Sequence, residues 1–61
     1  MTPAETYRLN AAAQRAAAQK TNLPNRRAMH ERSAMTWDAM ADNAEATAGR
    51  ARVNAEAKAG R

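Results

Sequence analysis

Cysteine, isoleucine and phenylalanine are absent from this 61-residue chain; leucine occurs only at Leu9 and Leu23 and valine only at Val53. Without cysteine there is no disulfide framework, no thiolate zinc site and no thiol nucleophile, which suits a reducing compartment and makes the cytoplasm the expected location. No apolar run is long enough for a signal-peptide core or a bilayer span, so neither export nor membrane insertion is expected. The scarcity of large aliphatic residues matters most. Hydrophobic residues make up 44% of the chain, but 18 of them are alanine, which buries little area and supplies little driving force. A chain this short is one domain at most, with a core worth about 3 to 5 kcal/mol, and a rigid catalytic site is not expected of it. Either it stays loosely helical alone, or it completes its core with a second copy or another protein; the second outcome is the expectation.

What the sequence has in quantity is helix former. Alanine, glutamine, arginine and glutamate lose little side-chain freedom on coiling, so helix is the favoured local state. Thr2-Pro3-Ala4-Glu5 reads as a helix start, with Thr2 as cap, Pro3 in the first turn and Glu5 reaching back. The first helix is predicted over residues 3–20. Its alanine triplets, 11–13 and 16–18, flank Gln14 and Arg15 and let another helix approach closely. Leu9, Ala13, Ala16 and Leu23 mark its expected buried side. Thr21-Asn22-Leu23-Pro24 breaks the pattern, because the residue before proline is pushed out of the α region and Asn22 favours a cap or turn.

The second helix is predicted over about 24–48, with Gly49 as its stop. His30, Ala34, Trp37, Ala41, Ala44 and Ala48 recur at steps of three or four and form one stripe. Met40 lies at its edge, with Met29 and Ser33 on the same flank, while Glu31, Asp38, Asp42 and Glu45 should face water. Residues 50–61 are alanine-rich and basic, with Val53 as their one sizeable apolar side chain, and read as frayed helix or disorder. The fold class expected is all-α: an antiparallel two-helix hairpin over 1–49 followed by a basic tail over 50–61.

Three features, Tyr7-Arg8 in an alanine-rich helix, Pro24 followed by Arg26-Arg27, and Trp37-x-x-Met40-Ala41-x-x-Ala44-Glu45, together resemble a group of short, uncharacterised bacterial helical-hairpin proteins. The likeness spans roughly residues 5 to 45. This chain departs from the group in having few leucines in its first helix. The resemblance implies a helical hairpin and carries no activity or site residues with it.

The formal net charge of +4 is uneven: +2 over residues 1–23, −1 over 24–49 and +3 over 50–61. It favours acidic partners without choosing among nucleic acid, membrane surface and protein. Arg26, Arg27, Arg50, Arg52, Lys58 and Arg61 are candidate polyanion contacts, of the electrostatic, sequence-independent kind that phosphates receive. No recognition-helix motif accompanies them, and the aromatic interleaving of single-strand binders is missing. Nor does the tail have the bulky apolar face of an interfacial membrane helix. His30-Glu31 lacks a second ligand three or four residues on, so His30 reads as a solvated or helix-packing histidine, and no metal, cofactor or catalytic residue is expected. Methionine adapts to irregular surfaces and tryptophan is enriched where binding energy concentrates. Trp37 is therefore either the centre of the hairpin core or an anchor for a partner. The expected function is a non-catalytic interaction module that binds a protein partner or itself through Trp37, Met40, Ala41, Ala44 and Met35. The alternative is a nonspecific nucleic-acid-associated protein acting through the arginine cluster and tail.

Overall fold

A computed structural model describes residues 1–60; Arg61, one of the candidate polyanion contacts, lies outside the described residues. Two helices, α1 (Pro3–Lys20) and α2 (Pro24–Ala59), pack as an all-α antiparallel hairpin. Thr2 caps α1 as its sequence suggests: its Oγ1 accepts from the Glu5 amide at 3.1 Å and donates to the Glu5 carboxylate at 3.2 Å. In the three-residue turn the Leu23 amide donates to Thr21 Oγ1, and Arg27 reaches back from α2 to donate to the Thr21 carbonyl at 3.1 Å. Leu23, not Asn22, stands at the cap of α2, and no side chain caps it.

The second helix does not stop at Gly49. It runs unbroken to Ala59, and the tail expected to fray or lose order is its last two turns and more. A mid-helix glycine costs only about 1 kcal/mol relative to alanine, and the alanines on both sides, Ala46, Ala48 and Ala51, favour continuing the coil. Gly60 takes the stop instead, its amide donating to the Glu56 carbonyl at 3.0 Å. Thus α2, at 36 residues, is twice the length of the 18-residue α1, and the molecule is a lath of 59 × 18 × 9 Å. No helix among the described residues is long and apolar enough to cross a membrane.

The seam between the helices is built on alanine. Ala4, Ala11 and Ala18 of α1 and Ala34 and Ala41 of α2 are its buried residues, each seven from the next on its own helix. Between them come two layers of larger side chains. Tyr7 stacks on Trp37 with ring centroids 5.8 Å apart, and seven residues on, Gln14 Oε1 lies 2.8 Å from His30 Nδ1. This register sets Ala11 between the two layers against Ala34, and Ala4 against Ala41. A seven-residue repeat of this kind keeps one stripe of each helix facing the other along the whole contact.

The buried side of α1 therefore differs from the one its sequence suggests. Ala13 and Ala16 are exposed, and Leu9 and Leu23 are 56% and 54% exposed. Two helices drawn together on alanine leave no volume between them for leucine, so the leucines face outward. On α2 the stripe from His30 to Ala44 does line the seam; Ala48, past the end of α1, is exposed.

Candidate interaction surface

The seven-residue frame gives the hairpin two unlike flanks. On one, Arg8 and Arg15 of α1 stand opposite Asp38, Asp42 and Glu45 of α2. Arg8 donates to Asp42 at 2.8 Å, Glu45 at 3.2 Å and Asp38 at 3.4 Å, and Arg15 pairs with the other oxygen of Asp38. The acidic face expected to point only at water thus also clamps α1. The hydrogen bond from Arg15 holds the partly exposed Asp38 carboxyl below the usual carboxylate range, with further help from the charges of Arg15 and Arg8; the bonds that Arg8 donates to Asp42 and Glu45 raise its already high pKa.

A carboxylate with a depressed folded pKa adds stability above its unfolded value, near 3.9, and that contribution disappears as pH falls through the folded value. The melting temperature of the parent should therefore exceed that of Asp38→Asn at about pH 6. The gap should close on acidification, as pH falls below the depressed folded value and Asp38 becomes protonated in both states of the parent. Thermal melts of the two proteins across that range measure it. A gap independent of pH would mean that the Arg15–Asp38 pair adds nothing as a charge pair.

The other flank carries no charge over most of its length. Heptad spacing sets Thr6, Asn10, Ala13 and Ala17 of α1 beside Met29, Ser33, Thr36, Met40 and Asn43 of α2. Met29 and Met40 are 49% and 38% exposed there.

The residues singled out for partner binding are divided by the fold. Ala41 is fully buried in the seam and offers a partner no surface. Trp37 and Ala44 are partly buried, Trp37 against Tyr7. Met40 opens on the uncharged flank, whereas Met35, the most exposed residue of α2's larger apolar set, stands among Glu31, Asp38 and Asp42 on the charged one. The polyanion candidates are not gathered either. Arg26 and Arg27 sit at the turn, Arg50, Arg52 and Lys58 at the far end of α2, from about 35 Å (Arg50) to about 48 Å (Lys58) away along the helix axis at ~1.5 Å per residue. Arg50 and Arg52 are two positions apart, so they point to nearly opposite sides. The arginines that are brought together, Arg8 and Arg15, are spent on carboxylates of the same chain. They recur seven residues apart, as do Asp38 and Glu45, and that spacing is the sequence signal for the clamp.

His30 is partly buried with Gln14 as partner, and among the described residues no three of His, Cys, Asp and Glu come together as metal ligands. No protein-family model, curated protein or solved structure matches the chain.

Proposed function

We infer that the hairpin is a non-catalytic interaction module that binds a protein partner or a second copy of itself along its uncharged flank. One observation carries this reading: every leucine, every methionine and the single valine of the chain is exposed. A fold that buries only alanine, and covers its one aromatic pair in part, has placed all its large aliphatic side chains where a partner can cover them. Met29 and Met40 supply adaptable apolar contact on this flank, and Ser33, Thr36, Asn10 and Asn43 supply hydrogen-bonding groups with no charge to desolvate. The lack of cysteine suits the reducing cytoplasm for such a module.

The expected result is that Met29→Ser with Met40→Ser leaves the helical circular-dichroism signal in place and weakens association by about tenfold or more, with little dependence on salt. Sedimentation and immobilised-chain capture after nuclease treatment, at low and high salt, measure it. Binding that survives the double substitution but collapses with salt or nuclease would replace this reading with the polyanion one.

A further inference from the structure

Past Glu45, which the Arg8 side chain still reaches, α2 has no α1 beside it. The register of the Tyr7–Trp37 and Gln14–His30 layers sets Pro3, the first residue of α1, near Ala41, so residues 44–59 continue for about 24 Å as a single helix. The seven-residue frame does not stop there. Ala48 and Ala55 continue the series of Ala34 and Ala41, and Ala51 continues that of Trp37 and Ala44. Where α1 ends, the step between the helices opens a groove of about 850 Å³, lined by Pro3, Ala4, Tyr7, Met40, Ala48 and Ala51 among others.

We propose that this groove and the seam beyond it are filled by the same segment, residues 44–59, of a second copy running antiparallel, to give a twofold dimer joined through the ends of α2. It adds a second surface to the interaction-module reading, adjoining the uncharged flank at Met40 and centred on Ala51 instead.

Two observations select this occupant. The first is length. In the only register near full overlap that keeps the alanine frame, Ala48 meets the second copy's Ala55, Ala51 meets its own counterpart on the twofold axis, and the second copy's Ala59 arrives beside residue 44, next to the start of α1. The incoming helix therefore occupies the space that α1 leaves vacant and runs in the direction of α1. Its C-terminal end, with Lys58, meets the N-terminal end of α1, with Glu5, so both the helix dipoles and the side-chain charges align head to tail.

The second is charge complementarity. Within the hairpin, Arg8 stands four residues after Ala4 and bonds Asp42, one residue after the opposed Ala41. Arg52 stands four residues after Ala48, and Glu56 stands one residue after Ala55. The dimer register thus repeats the Arg8–Asp42 pair twice, as Arg52 to the second copy's Glu56 and the reverse, against one like-charge approach of the two Arg52 side chains across the twofold axis, where Arg8 has Asp38 in the hairpin. Within one chain, Arg52 and Glu56 touch only at 4.0 Å, both largely exposed and free to be recruited.

The cysteine-free chain makes the test direct. Full-length protein carrying Ala51→Cys should cross-link to itself in high yield under mild oxidation, since residue 51 sits on the twofold axis, while Ala12→Cys should not. In sedimentation, Arg52→Glu alone and Glu56→Arg alone should each weaken dimerisation roughly tenfold, by turning two attractive pairs repulsive. Mixing the two variants should restore the dimer as a heterodimer, although each chain then carries like charges at 52 and 56. An intrachain role for the pair could not produce that rescue. A chain that stays monomeric at all concentrations overturns the proposal. So does a dimer in which Ala51→Cys fails to cross-link; if that dimer is lost on changing Met29 and Met40, the uncharged flank is the interface and the module reading stands.

Discussion

Trp37→Ala should lose the hairpin. Its ring is partly buried and stacked on Tyr7, and the pair forms the one large apolar layer between seams of alanine. Truncating a fully buried tryptophan costs ~3 to 5 kcal/mol; for a partly buried ring that also gives up an aromatic stack, about 2 to 3 kcal/mol is expected. Against a total of about 3 to 5 kcal/mol for a chain this short, that leaves little or nothing. Trp37→Phe, which keeps a ring for Tyr7, should recover most of the loss. Circular dichroism against temperature reads the outcome, with sedimentation alongside. An anchor that serves only a partner behaves differently: its removal leaves helix content intact and abolishes association alone. Trp37→Ala with parental helix content and parental melting would assign Trp37 to the surface and take the centre out of this core.

The sequence showed the two helices, the turn at Pro24, the capping by Thr2 and the stripe on α2, because each rests on local chemistry or on a marker that only one face carries. Trp37 and His30 fix the phase of α2 without ambiguity. In α1 the phase was harder to read. Alanine lies on nearly every side of that helix, so periodicity hardly distinguishes one face from another, and Leu9 drew the expected core toward the wrong face. Three other signals fix it: Tyr7 as the only ring able to meet Trp37, alanine every seven residues from Ala4, and Arg8 and Arg15 seven residues apart facing acids of equal spacing. Gly49 misled for a related reason, since its helix-ending tendency is small against the propensity of the alanines around it. The division of the methionines between two flanks follows from that same frame, and with it the separation of Met35 from Met40.

The alanines themselves set the other large effect. Ala41 has no exposed surface and Ala11 and Ala34 are each 1% exposed, so the approach of the helices leaves no space beside their methyl groups. Ala41→Leu adds three carbons at that contact. Leucine is nearly as good a helix former as alanine, so α2 itself should persist, and the cost falls on the packing between helices: about 1 to 3 kcal/mol of overpacking, enough to remove most of the hairpin's stability. The expected result is a chain that keeps much of its helical signal at low temperature but melts without cooperativity, with Trp37 emission shifted toward that of a solvated ring as its stack on Tyr7 opens. Ala12→Leu, on the exposed side of α1, makes the same chemical change without the contact and should stay within about 0.5 kcal/mol of the parent. If Ala41→Leu instead raised the melting temperature, the helices would have to move apart and repack around the larger side chain. The seam would then be ordinary apolar packing, in which volume is welcome, and alanine at every seventh position would not be what holds α1 and α2 in register.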